Sequence, residues 1–224
     1  GVPSPFGIAQ RGAPSSCAVL NATTGAPVAR LSATGCFTVD PNGLPLPAAD
    51  LVPYELNSPL WSDGARKRRW FRLPSAGAQI DSADAGAWGF PAGSIVIKEF
   101  SYNRAPNDHT TQRAVETRFL VKRDDAGWEG YSYQWKDDFS EADLLPSATT
   151  RKFWPYSGSG AADAGHVQIY PSRAECRRCH ALAAGSLLGL HTGQLNRTAD
   201  YGGVADHQLR VLGHLGVLAG GTPD

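Results

Sequence analysis

Residues 115–135 constrain the fold of this chain more than any other stretch. Val115, Thr117, Phe119 and Val121 alternate with Glu116, Arg118, Leu120 and Lys122. Asp124-Asp125-Ala126-Gly127 then gives a turn signal, after which Tyr131, Tyr133 and Trp135 alternate with Ser132, Gln134 and Lys136. A period of two sends successive side chains to opposite faces, so this is a β-hairpin with one aromatic face. Residues 94–100 are another strand candidate. Trp70 and Phe71 anchor a third strand, with the cations around them (Lys67, Arg68, Arg69 and Arg72) read as a solvated surface. Prolines 41, 45, 47 and 53 argue against a long helix, and residues 52–61 read as extended segments with turns. The expectation is a mainly β fold, an antiparallel sheet or sandwich, followed by a small α-helical C-terminal segment.

The character changes after Pro171. Ser172-Arg173-Ala174-Glu175 is a capping box that opens a helix. Cys176, Cys179 and His180 follow at i, i+3 and i+4, the spacing of one helical face. Cys-x-x-Cys-His is the attachment pattern of a c-type haem: two thioethers to the porphyrin and an adjacent imidazole as proximal iron ligand. The alternatives are a zinc site, a redox dithiol, or cysteines buried beside an ordinary histidine. Zinc wants a second Cys/His pair. Arg177 and Arg178 are candidates to pair with haem propionates, or else remain solvated. A last helix is expected over 204–218, with Leu209, Leu212 and Gly216 on its apolar face.

The chain has no methionine, which excludes His/Met ligation within the polypeptide. The sixth iron position is therefore His214, His191, His207, His166, Lys98, water or empty. Lysine ligates only when deprotonated. Two strong protein ligands favour outer-sphere electron transfer, and an open position favours small-molecule or peroxide chemistry. Glu116 and Arg118 read as a structural salt bridge, with a haem-edge or peroxide role as the alternative.

The other two cysteines, Cys17 and Cys36, stand in a Gly/Pro/Ser-rich region and are expected to form a disulfide. Together with a haem attached outside the cytoplasm, that places the chain in the periplasm or outside the cell. A formal net charge of zero gives no sign of a nucleic-acid partner. No apolar run approaches the roughly 20 residues of a transmembrane segment. The expected organisation is an irregular arm over 1–30, a β-rich body over 31–165, and a helical haem segment over 166–224 packed on that body. Trp61, Trp70, Trp128, Trp135 and Trp154 would suit a carbohydrate platform if two or more rings lay exposed in one plane. Aromatic sheet faces more often form cores.

Several blocks carry a resemblance: residues 31–37 (LSATGCF), 52–65 (VPYELNSPLWSDGA), 90–93, 97–100, Glu116-Thr117-Arg118, 130–135, 171–180 (PSRAECRRCH), 190–197 and Gln208-Leu209. Together they resemble a family of uncharacterised secreted bacterial CxxCH proteins, c-type cytochromes by their motif, across roughly residues 31–217. The resemblance implies one covalent haem c on Cys176, Cys179 and His180, and it directs attention to Lys98, Glu116, Arg118 and Trp135. Lys136 and His207 stand where the family has asparagine, and His191 falls at a variable position. The implied function is a monohaem electron carrier that works with a redox partner protein or an adjacent domain. A haem enzyme or sensor with an open distal site, or a carbohydrate- or protein-binding module, are the alternatives.

Overall fold

The alternating segments become neighbouring strands of one antiparallel meander. The computed structural model describes residues 15–40, 42–83, 86, 88–105, 107–124, 127–153, 166–180 and 187–220. The described elements begin with a 3₁₀ turn (Ser32–Thr34), β1 (Phe37–Thr38), β2 (Leu46–Pro47), β3 (Val52–Pro53) and β4 (Arg66–Arg72). Then come β5 (Ile95–Ala105), β6 (Asp108–Arg123), β7 (Gly127–Trp135), β8 (Ala142–Leu144), β9 (Thr149–Phe153) and β10 (His166–Tyr170). The C-terminal part holds α1 (Arg173–Cys179), α2 (Thr192–Leu195), β11 (Thr198–Asp200), β12 (Ala205–His207) and α3 (Gln208–His214). Strands β3 to β8 pair in chain order as a six-stranded sheet, while β1–β2, β9–β10 and β11–β12 are two-stranded ladders. The described strands thus form one large sheet with small ladders on its flanks, rather than two large sheets.

Each face of the sheet buries its own apolar cluster. On one, Trp70, Ile97, Phe119, Tyr131, Tyr133 and Trp135 pack against an N-terminal layer that includes Val19, Leu31, Phe37 and Leu51. The aromatic side of the hairpin is therefore core. The Cys17–Cys36 disulfide ties this layer together and stabilises it by about 2–4 kcal/mol through the unfolded state. On the opposite face, Phe71, Val96, Leu120 and Trp128 meet Leu190, Leu195, Leu209, Val211 and Leu212 from the C-terminal segment. Each such side chain contributes about 1.5–3 kcal/mol on full burial.

Two expectations need correction, and the carbohydrate-platform alternative finds no support among the described residues. The helix expected over 204–218 is shorter: Ala205–His207 pair as β12 with Thr198–Asp200, and α3 covers Gln208–His214 alone. Strand pairing outcompetes helix extension because β11 lies alongside. His207 is consequently the N-cap of α3 and His214 its last residue. The cations of β4 are not all solvated: Arg69 is buried, and Arg68 pairs with the buried Glu99 at 2.8 Å. The tryptophans make no exposed platform among the described residues, because Trp70, Trp128 and Trp135 are buried while Trp61 is exposed. Trp154 lies outside the described residues, as do residues 1–14 of the N-terminal arm. No helix among the described residues is long and apolar enough to cross a membrane.

Candidate functional site

Helix α1 starts where its sequence says it should. Ser172 Oγ accepts a hydrogen bond from the Glu175 amide at 3.2 Å, and Glu175 Oε2 accepts from the Ser172 amide at 2.8 Å. These two bonds satisfy donors that a helix N-terminus otherwise leaves open. The backbone hydrogen bond from Ser172 is the main cause holding the Glu175 carboxyl below its ordinary range.

The helix packs on β7 beyond the residues that β8 covers, since β8 pairs only with Tyr133, Gln134 and Trp135. Cys176 is the contact. A Cβ added at Gly130 would lie 2.6 Å from Cys176 Cβ and 2.7 Å from its Sγ, so only glycine lets the helix approach this closely. Beside it, the Arg173 guanidinium lies 4.8 Å from the centre of the Tyr131 ring. Cys176 is buried and Cys179 exposed, and both thiols are free. Burial is the main cause pushing the Cys176 thiol up, with Arg118 opposing. His180 is the C-cap: its amide still donates to Cys176 O at 3.0 Å, although its dihedrals (φ −103°, ψ 41°) leave the helical region. Helical regularity therefore stops at Cys179, one residue short of the imidazole. Arg177 and Arg178 are both exposed.

Next to Cys176, the sheet face turns from apolar to cationic. Arg69, Lys98, Arg118 and Ser132 stand opposite one another on β4, β5, β6 and β7. Directly paired residues project to the same face, so this is a polar row across four strands. The adjacent row holds Lys67, Phe100 and Glu116. The buried Phe100 ring has Arg118 at 4.9 Å, Lys98 at 5.8 Å and Lys67 at 6.0 Å from its centre. Such placement uses the negative face of the ring. Glu116, fully buried, accepts from Arg118 at 2.7 Å and from Gln168 Nε2 at 2.8 Å, which links β6 to β10. Burial, then the positive charges of Arg118, Arg69 and Lys67, pull the Lys98 ammonium down to about 8, with Glu116 opposing.

The histidines considered for the sixth position are dispersed. His191 caps α2 and folds back towards Gly193. His207 Nε2 lies 2.8 Å from Asn196 Oδ1. His214 is exposed at the end of α3. The side chain of His166 lies outside the described residues. Lys98 lies on the same face as Arg118, the cation acting on Cys176. Among the described residues, no group of three or more His, Cys, Asp or Glu side chains is placed to hold a metal ion.

Two free thiols three residues apart, followed at once by an imidazole, match in kind and order the protein donors of a c-type haem. The Cys17–Cys36 bond removes the other two thiols from any four-cysteine zinc set. The sequence singles out Cys176, Cys179 and His180 as candidates, and gives no comparable sign of Arg69, Gln168 or the role of Gly130. An isolated glycine inside an alternating strand was the available signal for the last. No protein-family model, curated protein or solved structure matches the chain.

Proposed function

We propose that this protein is a monohaem c-type cytochrome acting in electron transfer. Cys176 and Cys179 hold one haem c as thioethers, and His180 is the proximal ligand. The carrying observation is the free Cys176/Cys179 pair on a capped helix, seated on Gly130 and followed by His180. The resemblance to secreted CxxCH proteins over roughly residues 31–217 supports the same reading.

When bound, the haem supplies a one-electron iron couple. The protein's part is to fix and tune it. Two covalent links on one short helix limit how the cofactor can tilt. Burial of Cys176 excludes water from that side and lowers the local dielectric. Arg118 supplies positive charge that acts on Cys176, which complements propionates and favours the reduced, less positive iron. The 224 residues offer no methionine for the sixth position. A redox partner protein or adjacent domain takes or delivers the electron, and the periplasm or the cell exterior suits both the disulfide and the attachment chemistry.

The test is expression with a c-type maturation system, followed by denaturation and a pyridine haemochrome spectrum. Covalent haem that disappears in a Cys176→Ser/Cys179→Ser double variant is the expected result. A reduced-minus-oxidised spectrum with added cyanide or CO then separates a closed carrier from an open-site enzyme or sensor: a ready shift favours the latter.

A further inference from the structure

The cationic row ends at β4 in a cavity of about 630 Å³ between β3–β4 and the turn after β11. Its lining includes Tyr54, Glu55, Lys67, Arg69, Asp200 and Tyr201. Two buried polar atoms here have no hydrogen-bond partner among the described residues: Arg69 Nε and the Tyr201 hydroxyl. Arg69 is only 8 % exposed. A buried guanidinium Nε and a buried phenol oxygen left unbonded are costly, and native structures rarely keep both without an occupant or water.

The acids in the lining have partners, although only Glu55 is paired with a cation. Glu55 pairs with Arg197 at 2.9 Å, and Asp200 Oδ1 accepts from the Gly203 amide at 2.6 Å. Lys67 donates to the Leu60 carbonyl, a neutral partner that leaves its charge uncompensated. Both open groups are donors, so the missing partner is an acceptor; the cations Arg69 and Lys67 favour an anion there, against the Glu55 carboxylate that acts on both Arg69 and Tyr201. A guanidinium edge takes a carboxylate through two parallel N–H bonds, and a phenol adds a third. The cavity is far larger than an inorganic ion and lies within the usual range for organic ligands, and Tyr54 and Tyr201 give it aromatic walls.

We propose that this cavity is a binding site for the carboxylate of an organic molecule, held by Arg69, Tyr201 and Lys67. The carboxylate belongs either to a haem propionate reaching along the cationic row or to a free small acid. The site itself does not depend on the haem reading.

The probe is benzoate, with benzamide as its uncharged counterpart, titrated calorimetrically into the full chain exported without haem maturation. Saturable benzoate binding is expected, with benzamide at least about tenfold weaker. Arg69→Gln and Tyr201→Phe should each weaken benzoate about tenfold or more, and Lys67→Gln by less. No saturation by about 10 mM benzoate, or equal affinity for benzoate and benzamide, overturns the proposal; neither result needs a variant that folds. Unchanged affinity in a folded Arg69→Gln protein overturns it as well. Repeating the titration on haem-loaded protein separates the sources. Loss of benzoate binding there identifies a propionate as occupant, and retained binding identifies a free acid. Failure to attach haem sinks the cytochrome reading while leaving the benzoate result standing.

Discussion

Cys176 and Gly130 fit together without room for a methyl group: a Cβ at position 130 would stand 2.7 Å from the sulfur. The relationship seats the helix carrying the CxxCH motif on the central sheet, beside the Arg173–Tyr131 contact. Gly130→Ala should therefore shift α1 off β7. The expected cost is about 1–3 kcal/mol, typical of overpacking, together with reduced haem attachment. Gly77→Ala, where an added Cβ meets nothing within 4 Å, is the control and should stay within about 0.5 kcal/mol. Urea unfolding of both variants checks this, and equal midpoints would contradict the seat.

Glu116 is the hinge of a second relationship. Its carboxylate serves Arg118 and Gln168 at once. Glu116→Ala leaves a charge and an amide without their acceptor and should destabilise by about 3 kcal/mol. Glu116→Gln keeps an acceptor oxygen and should cost less. Because Gln168 sits on β10, amide exchange in the β9–β10 ladder should accelerate in the alanine variant beyond the rest of the sheet. Uniform acceleration would instead mean that the carboxylate does not hold that ladder.

Lys98 makes stability depend on pH in a defined window. Burial and its cationic neighbours bring it from an ordinary 10.5 to about 8 in the folded chain. Between those values the unfolded chain binds more protons than the folded one, so stability rises with pH. Below about 8 both states are protonated and the penalty is constant. Lys67 is shifted in the same direction, so Lys98→Met isolates the Lys98 contribution. In haem-free protein, the variant should be more stable than wild type at neutral pH, with a shallower rise from about 8 to 10.5. Parallel curves across that window would refute the buried, depressed lysine.

Local signals in the sequence carry much of this. The alternation of residues 115–122 and 131–135 places β6, β7 and their aromatic face because side-chain type follows the period of two, even though both faces are buried. The capping box locates the start of α1 because its hydrogen bonds lie within four residues. What stays hidden depends on partners distant in the chain. Arg69 reads as one more surface cation until β3 and the turn after β11 enclose it. Ala205–His207 read as helix until β11 pairs with them. Lys98 and Arg118 share a face only through the register of β5 on β6, a ladder that slips between Phe100 and Ser101. Parity within one strand cannot supply that register.

Covalent attachment of one haem to Cys176 and Cys179 is the proposal from which the electron-transfer reading follows. A pyridine haemochrome spectrum of denatured, washed protein from a host with c-type maturation tests it most directly. The expected result is a bis-thioether haem c spectrum at one haem per chain, lost when both cysteines become serine. Protein matured alongside a positive-control cytochrome yet free of covalent haem would contradict it.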